Sequence, residues 1–567
     1  MSLENLFDNS ESAAVFLQFT GAKKMKSASN PSEMFEGNSK AAIIDRIQRL
    51  VPPGSPEPQD PEILAALQTL TAQLIAAYQA DGQLDREPFT DVRDRSIHLY
   101  ASACSSKIKG KTILVTGGEG CVGTFLIEKL LELGATKIIS ADKARCQNPE
   151  ETIGHFNKEG AVTFYAADIR NFEALKHIFE AEKPDIVFHL AAQRQPGLAE
   201  IQIRETVTTS LLGCKHVIQL CEEYGIENCV FSSTGKTSRY FTTEVYAASK
   251  KLAEWQFAAS AQAGNVTYGM VRFTHMLENS LFCEQMSKKV EQSKTVNVHA
   301  PHRYVTAQNL VEAIHLLLNA MIVSVPGKLK IVAVSNLGWP TETLEVALYK
   351  ILESGKNLPI YFQGLLPGYE EPFFLGQFDW SKPTDIHLLI NVQEDPFRRI
   401  DDAGDMVTVE LAPFSLRVLE RQVSNLENLI STPDLPEVQI KHALVAAEKE
   451  VIASSFAWSS PEELLKILQW GVNPKKLQGY GTEISDYREI IELLLQGMYG
   501  RLNEEVLNSA GVTADEFEQL VDSLSTLDSL QAEVGYLRSI SRCFRQSVLP
   551  AHFTQKKSEP VPVRDAA

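Results

Sequence analysis

The stretch Thr116-Gly-Gly-Glu-Gly-Cys-Val-Gly123 decides the fold, because it follows the β-branched run Thr112–Thr116 and opens a helix-like pattern. Its glycines have separate tasks: Gly117 permits a tight turn, Gly120 lets the backbone approach a pyrophosphate, and Gly123 lets the helix pack closely on the sheet. The helix N-terminus then offers free N–H groups and a positive dipole end to phosphates. The stretch therefore predicts a dinucleotide-binding turn.

Short β-branched runs alternate with amphipathic helical stretches beyond Lys111, and this alternation is typical of parallel βαβ units. We predict an α/β fold: a doubly wound parallel-sheet Rossmann domain with an N-terminal helical extension and a C-terminal, mostly helical domain. The proline-rich run Val51–Pro61 favours a loosely ordered start. The predicted divisions are a loosely ordered segment (1–60), a helical extension (61–108), an NAD(P)-binding domain with its substrate lobe (109–404) and a helical domain (405–567).

Length, net charge and cysteine spacing limit the kinds of protein that this sequence can encode. A length of 567 residues favours several domains, and a net charge of −18 disfavours nucleic acid as a partner. No apolar run reaches about 18 residues, so no membrane span is expected. The eight cysteines form no C-x-x-C pair and no metal-like spacing. We therefore expect a cytoplasmic protein with reduced thiols and no metal site.

An acidic residue ends the second predicted strand. Asp142 lies 19 residues after Gly123, where a carboxylate can accept hydrogen bonds from both ribose hydroxyls and repel a 2′-phosphate. This position favours NAD. Lys143 and Arg145 follow directly and could hold a 2′-phosphate instead, so NADP stays open as the cofactor.

Two later strand ends complete the predicted cofactor site. Asp168 and Ile169 end the third strand, where the adenine is expected, although an aspartate there could also be an ordinary strand-end cap. Ala191 follows the fourth strand and is expected to line the other side of the cofactor.

The predicted catalytic residues are Tyr246 and Lys250, in Tyr246-Ala-Ala-Ser-Lys250. A spacing of four places both side chains on one helical face. The phenol would exchange a proton with a substrate oxygen, while the ammonium lowers the phenol pKa and binds the nicotinamide ribose. Thr234, at the end of the preceding strand, is placed to bond the same oxygen. The alternative is a pair of ordinary surface residues on a helix.

The chain from about Arg86 to Pro372 resembles the CapD-like polysaccharide-biosynthesis branch of the extended short-chain dehydrogenases/reductases. Beyond the glycine turn and Tyr246, the resemblance lies in Ser233-Thr-Gly-Lys236, Val271-Arg-Phe273 and His299-Ala-Pro-His-Arg-Tyr304. It implies a nucleotide-sugar epimerase or dehydratase. It also implies a homo-oligomer, a dimer formed through two helices beside the sheet.

The substrate half departs from that family. Gly235 replaces the acidic aspartate of the dehydratases, which makes water elimination doubtful, while Lys236 could still act as a base. Leu366 replaces the arginine expected to hold the sugar-nucleotide phosphates. The residues expected at the substrate are Arg194, Arg272, His275 and Arg303. His275 replaces a usual asparagine and could be a new acid or base, or a structural hydrogen-bonder.

Three functions remain open from the sequence. The first is an NAD(P)-dependent oxidoreductase or epimerase that acts on a nucleotide-activated sugar. The second keeps the redox chemistry but acts on a non-sugar metabolite, as a ketoreductase or dehydrogenase. The third is a non-catalytic dinucleotide-binding scaffold, against which the Tyr246/Lys250 pair argues.

Overall fold

The structure, a computed structural model, describes residues 39–143, 160–278, 283–338 and 340–548. Across these residues the chain forms fifteen strands. In chain order they are β1 Thr112–Thr116, β2 Lys137–Asp142, β3 Val162–Ala166, β4 Ile186–His189, β5 Asn228–Thr234, β6 Thr267–Phe273, β7 His275–Met276, β8 Val296–Val298, β9 Tyr304–Val305, β10 Ala307–Gln308, β11 Lys330–Val334, β12 Thr341–Glu342, β13 Ile360–Phe362, β14 Arg399–Ile400 and β15 Met406–Val409.

The α-helices of the described residues are numbered in the same way. They are α1 Lys40–Leu50, α2 Pro61–Ala80, α3 Thr90–Arg93, α4 Ala101–Ile108, α5 Cys121–Glu132, α6 Phe172–Glu182, α7 Pro196–Ala199, α8 Ile203–Val207, α9 Cys214–Glu223, α10 Val245–Ala263, α11 Cys283–Gln292, α12 Leu310–Val323, α13 Thr343–Ser354, α14 Leu416–Ile430, α15 Glu437–Trp458, α16 Pro461–Gly471, α17 Pro474–Tyr480, α18 Arg488–Met498, α19 Glu504–Ser509, α20 Ala514–Leu524 and α21 Gln531–Val548.

The main sheet has the order β3-β2-β1-β4-β5-β6-β11-β15-β14. Every pairing from β3 to β11 is parallel, and β15 and β14 close the far edge antiparallel. The order reverses direction between β1 and β4, the place where doubly wound sheets bind ligands beyond the carboxyl ends of their strands. The predicted doubly wound α/β fold is confirmed.

Local sequence explains where the helices start. Asp60 accepts a hydrogen bond from the Glu62 N–H (2.8 Å), with Pro61 in the first turn of α2. Ser460 and Thr513 cap α16 and α20 in the same way, and Thr513 forms a reciprocal capping box with Glu516. Both capping motifs can be predicted from the sequence alone.

The N-terminal helices pack on the substrate lobe. Ile43 and Ile47 of α1, with Leu67 and Leu74 of α2, share a core with β8, β13 and α13. The prediction of loose order over 1–60 is therefore wrong for residues 40–50, because apolar residues at helical spacing give α1 a buried face. Residues 1–38 lie outside the described part of the chain.

The predicted boundary at 404/405 cuts through the main sheet. Met406–Val409 pairs with Lys330–Val334, so the sheet extends beyond residue 404. One continuous hydrophobic core then joins the sheet to the C-terminal helices. The mostly helical character of this region is confirmed, but it is not packed as a separate unit.

Helix α2 is the one described helix that is long and apolar enough to cross a membrane, by length and composition only, with a mean hydropathy of 1.2 over its best window. Of that window 28% is buried inside the structure. Leu67, Leu74 and Tyr78 contact the substrate lobe, and core helices meet the same criteria.

The C-terminal helices α14 and α15 cover the helices that flank the catalytic face of the sheet. Both pack on α10, and α15 also contacts α8. Lys215 donates to Glu427 (2.6 Å), and Lys441 donates to Glu200 (2.6 Å). A second copy of the chain cannot occupy this face while α14 and α15 lie on it.

We predict that the purified chain does not dimerise through α8–α10, in contrast to the expectation from the family resemblance. Cross-linking with mass spectrometry should find the α10–α15 contact within one chain, whatever mass light scattering gives. A dimer whose intermolecular cross-links map to α8, α9 or α10 would contradict this prediction.

Candidate active site

The glycine turn is packed so tightly that side chains are excluded from it. Gly117 has φ +74°, and a Cβ there would lie 2.7 Å from the Ala191 nitrogen. A Cβ on Gly123 would lie 2.4 Å from the Gly117 carbonyl oxygen. Gly120 is the N-cap of α5 and has no side chain to bond the first N–H groups. These residues fit a dinucleotide, whose pyrophosphate needs such a bare helix start.

Asp142 lies at the carboxyl end of β2, beside this turn. Its carboxylate accepts a hydrogen bond from the Glu119 N–H (3.1 Å), so it faces the glycine turn. Lys143 is drawn into an ion pair with Glu205. Arg145, the second basic residue predicted near the ribose, lies outside the described residues.

Asp168 and Ile169 follow β3, as predicted, but Asp168 is already engaged. The Arg170 guanidinium donates to both carboxylate oxygens (2.6 and 3.0 Å), and the Arg170 backbone N–H donates as well (2.9 Å). Burial would raise the pKa of Asp168, but the bonds from Arg170 outweigh it and lower the pKa. Ile169 is buried and packs against Gly213, where a Cβ would lie 2.5 Å away. Gly213 ends a π-helical turn, Thr208–Gly213, a feature that the sequence did not reveal.

Tyr246, Lys250 and Thr234 meet at the carboxyl edge of the sheet. Tyr246 lies in the first turn of α10, and its phenol lies close to the Thr234 hydroxyl at the end of β5. The Lys250 Nζ donates to the Ser232 carbonyl (2.9 Å) and lies 4.5 Å from the Phe231 ring centre. The structure brings together the three residues that were predicted to act together.

The phenol pKa differs from the expectation. Burial raises the pKa of Tyr246 to about 12, although the nearby Thr234 hydroxyl opposes the rise. Burial lowers the pKa of Lys250 to about 8. The expected lowering of the phenol pKa by Lys250 is absent from this arrangement, because the ammonium is turned toward the Ser232 carbonyl. The phenol is therefore protonated at neutral pH.

The space beside Gly235, where a side chain would lie, is occupied by a residue from a distant segment of the chain. A Cβ on Gly235 would lie 2.2 Å from the Leu389 side chain, which is buried. Leu389 belongs to residues 373–398, which we call the strap. The strap is tied to the turn after β5: Asn391 donates to the Ser238 carbonyl (3.0 Å), and Ser238 donates to the Leu388 carbonyl (3.1 Å). No acidic side chain fits at position 235 while Leu389 stays in place.

Lys236 is held rather than free. Its Nζ pairs with Glu244 and donates to the Gly368 carbonyl (2.8 Å). Burial lowers the pKa of Lys236, although the Glu244 charge opposes this. A base role for Lys236 would require that the pair with Glu244 opens.

The prediction that Arg272 binds substrate is wrong. Arg272 is fully buried and forms ion pairs with Glu254 (2.8 Å) and Glu394 (2.7 Å). It also donates to the Leu389 carbonyl (2.9 Å). The guanidinium is therefore a structural link between β6, α10 and the strap.

A basic cluster lies around Arg303. Arg303 donates to the Tyr369 carbonyl (2.7 Å), and its pKa falls to about 10 through burial and then through the charge of Arg239. Burial, with the charges of Arg303 and Lys289, lowers the pKa of His299 to about 4. Lys289, on α11, was not predicted, since no sequence motif marks it.

The two remaining candidates lie at the surface. His275 is exposed at the surface. Desolvation by the surrounding protein and then the charge of Lys236 lower the pKa of His275, so His275 lies near Lys236. It is backbone-paired through β7 to β10. Arg194 is exposed on the loop after β4, and its N–H bonds the neighbouring Gln193 side chain (2.9 Å).

Comparisons with known proteins give a family match and several similar sequences. A family profile described as polysaccharide biosynthesis protein matches residues 113–372. The probable polysaccharide biosynthesis protein EpsC of Bacillus subtilis (strain 168) is 27% identical over 315 residues, covering 54% of this chain and 50% of that protein. The capsular polysaccharide biosynthesis protein CapD of Staphylococcus aureus is 26% identical over 291 residues, covering 48% and 47%.

The chain spans about half the length of these curated relatives. Among solved structures, UDP-glucose 4-epimerase of Thermus thermophilus in complex with NAD aligns with a TM-score of 0.40 at 20% identity, covering 46% of this chain and 90% of that one. Over residues 113–372, the chain is therefore similar to polysaccharide-biosynthesis proteins such as EpsC and CapD.

Proposed function

We propose that this protein is a pyridine-dinucleotide-dependent enzyme that oxidises or epimerises the sugar of a nucleotide-activated sugar. One observation carries the proposal: the Tyr246 phenol lies close to the Thr234 hydroxyl at the same sheet edge as the glycine turn. A bound dinucleotide would supply a hydride acceptor and donor there. Gly117, Gly120, Gly123, Asp142 and Ala191 would hold it.

Residues of this chain would transfer the proton that accompanies hydride transfer. The Tyr246 phenol exchanges a proton with a sugar hydroxyl or keto oxygen, and the Thr234 hydroxyl holds the same oxygen in line. Lys250 lies one helical turn away and donates to the Ser232 carbonyl, and its ammonium would bind the cofactor ribose when a dinucleotide is present. A protonated phenol suits donation to a ketone, the returning half of an epimerisation.

The carboxylate of Asp142 favours NAD over NADP. It lies beside the glycine turn, where a 2′-phosphate would meet its charge. Lys143 is paired with Glu205 and would have to leave that partner to bind such a phosphate.

The basic cluster supports a nucleotide sugar over a non-sugar ketone. Arg303 and Lys289 both lie near His299, whose imidazole they keep neutral, and these two cations suit a diphosphate. They offer a substitute for the phosphate arginine that Leu366 replaces. A neutral ketone would not pair with these cations.

Water elimination does not fit the site. The dehydratase acid would have to occupy position 235, and Leu389 fills that space. The chemistry that remains is hydride transfer with proton exchange at one carbon, which gives epimerisation or net oxidation.

Replacing Tyr246 by phenylalanine should lower turnover about 10²–10⁴-fold, because the proton donor and acceptor is lost. NAD affinity should stay unchanged. Mass spectrometry of a UDP-sugar panel incubated with NAD would measure conversion, and Tyr499→Phe, at an exposed position, is the matched control. Equal conversion by Tyr246→Phe and the wild type would favour the scaffold function.

Replacing Asp142 by asparagine should raise NADP affinity relative to NAD by about tenfold, or about 1.4 kcal/mol, because the repulsive charge is removed. Asparagine keeps an oxygen for the Glu119 N–H. Calorimetric titration with both dinucleotides measures the ratio, with the exposed Asp94→Asn as control. An unchanged ratio would show that Asp142 does not face the ribose.

Replacing Gly235 by alanine should destabilise the protein by about 1–3 kcal/mol, because the new methyl group overlaps the Leu389 side chain. In the double variant Gly235→Ala/Leu389→Ala the overlap disappears. Its loss of unfolding free energy should therefore be about 1–3 kcal/mol smaller than the sum of the losses in the two single variants. Urea denaturation of the four proteins measures this cycle. If the losses of unfolding free energy were strictly additive, Leu389 would not contact position 235, and an acidic side chain would fit there.

A further inference from the structure

One buried tyrosine connects the N-terminal extension to the substrate lobe. Helix α2 contacts α13, and Tyr78, near the end of α2, is buried in the core that the two helices share. The Tyr78 hydroxyl donates a hydrogen bond to the Glu342 carboxylate (2.7 Å). Glu342 is buried as well and directly precedes α13. A helix that lies outside the dinucleotide-binding sheet therefore bonds a carboxylate of the substrate lobe.

The other oxygen of Glu342 holds the backbone just before Arg303. It accepts a hydrogen bond from the His302 N–H (2.8 Å), and the His302 imidazole lies 3.7 Å from the same oxygen. His302 has φ +55°. This left-handed conformation costs free energy for a residue other than glycine and persists only where surrounding contacts enforce it. The bond to Glu342 is such a contact.

The start of α13 also fixes the backbone at and after Arg303. The Thr343 N–H donates to the Arg303 carbonyl (2.7 Å), and Tyr304 pairs with Glu342 between β9 and β12. The chain is thus held before and after Arg303 by one short segment, and the Tyr78 hydroxyl is bonded to that segment.

The Arg303 side chain reaches from this segment toward the predicted active site. Its guanidinium donates to the Tyr369 carbonyl (2.7 Å), and the Lys236 Nζ lies 5.3 Å from the Tyr369 ring centre. Because a side chain is aimed by its own backbone, a change of conformation at His302 would move the guanidinium. A displacement of about 1 Å in a positioning group is enough to lower a reaction rate strongly.

We propose that Tyr78 is a positioning residue for substrate binding. Through Glu342 it holds His302 in the left-handed conformation and so aims Arg303 at the diphosphate of a nucleotide-activated sugar. The N-terminal extension is then part of the substrate-binding half of the enzyme as well as of its core. This inference rests on the proposed function, because it takes Arg303 as a phosphate contact.

Calorimetric titration of the full-length, NAD-loaded protein with UDP tests the proposal. Tyr78→Phe keeps the ring and removes the hydroxyl, so it should weaken UDP binding about tenfold and leave NAD affinity unchanged. Tyr349→Phe removes a hydroxyl from a tyrosine packed on the same core and is the matched control. It should bind UDP as the wild type does. A purely structural role of Tyr78 would lower the free energy of unfolding without this selective loss of UDP affinity.

A double-mutant cycle tests whether Tyr78 acts through Arg303. Arg303→Ala should itself weaken UDP binding, and Tyr78→Phe should cause little further loss in that background. Glu342→Gln keeps an oxygen for the His302 N–H and should retain more UDP affinity than Glu342→Ala. This second pair of variants keeps the test valid if Tyr78→Phe fails to fold. Hydrogen exchange should be faster at the His302 amide in Tyr78→Phe than in the wild type.

Three results would overturn the positioning role. They are wild-type UDP affinity in Tyr78→Phe, an equal loss of affinity in Tyr349→Phe, and a loss from Tyr78→Phe that is the same with and without Arg303. Failure of the wild type to bind UDP at millimolar concentration would instead overturn the proposed function, and the role of Arg303 with it. Exchange at the His302 amide needs no substrate, so an unchanged exchange rate in Tyr78→Phe would overturn the positioning role alone.

Discussion

The contact between the glycine turn and the strand ends is the constraint on which the site depends. At Gly117 and Gly123 the backbone of one segment touches the backbone of another, with no room for a side chain. This contact places the start of α5 at the point where the sheet reverses its strand order. Asp142, Ala191 and Thr234 lie at or just after the carboxyl ends of their strands, and Tyr246, in the first turn of α10, lies near Thr234.

The chain closes around this site with elements that the Rossmann core does not need. Helices α1 and α2 complete the substrate lobe, while α14 and α15 cover α10, which carries Tyr246 and Lys250. The strap fills the space at Gly235 and binds Arg272 through Glu394. These additional elements lie on the substrate side of the sheet and leave the glycine turn unchanged.

The sequence was sufficient where a local pattern sets a local structure. The glycine turn, the parallel strands and the caps at Ser460 and Thr513 are decided by residues close in the chain. It failed where a distant segment supplies the partner. Arg272 looked like a substrate ligand because Glu394, more than a hundred residues away, gives no local signal. The loose order predicted for residues 40–50 and the role of Leu389 have the same cause, since long-range packing decides both.

The central claim is that the glycine turn and Tyr246 face one bound dinucleotide. A crystal structure of the full chain with NAD tests it most directly. The account requires the pyrophosphate at the N-terminus of α5, the adenosine ribose at Asp142 and the nicotinamide ring beside the Tyr246 hydroxyl. A dinucleotide bound elsewhere, or a nicotinamide ring out of reach of that hydroxyl, would contradict it.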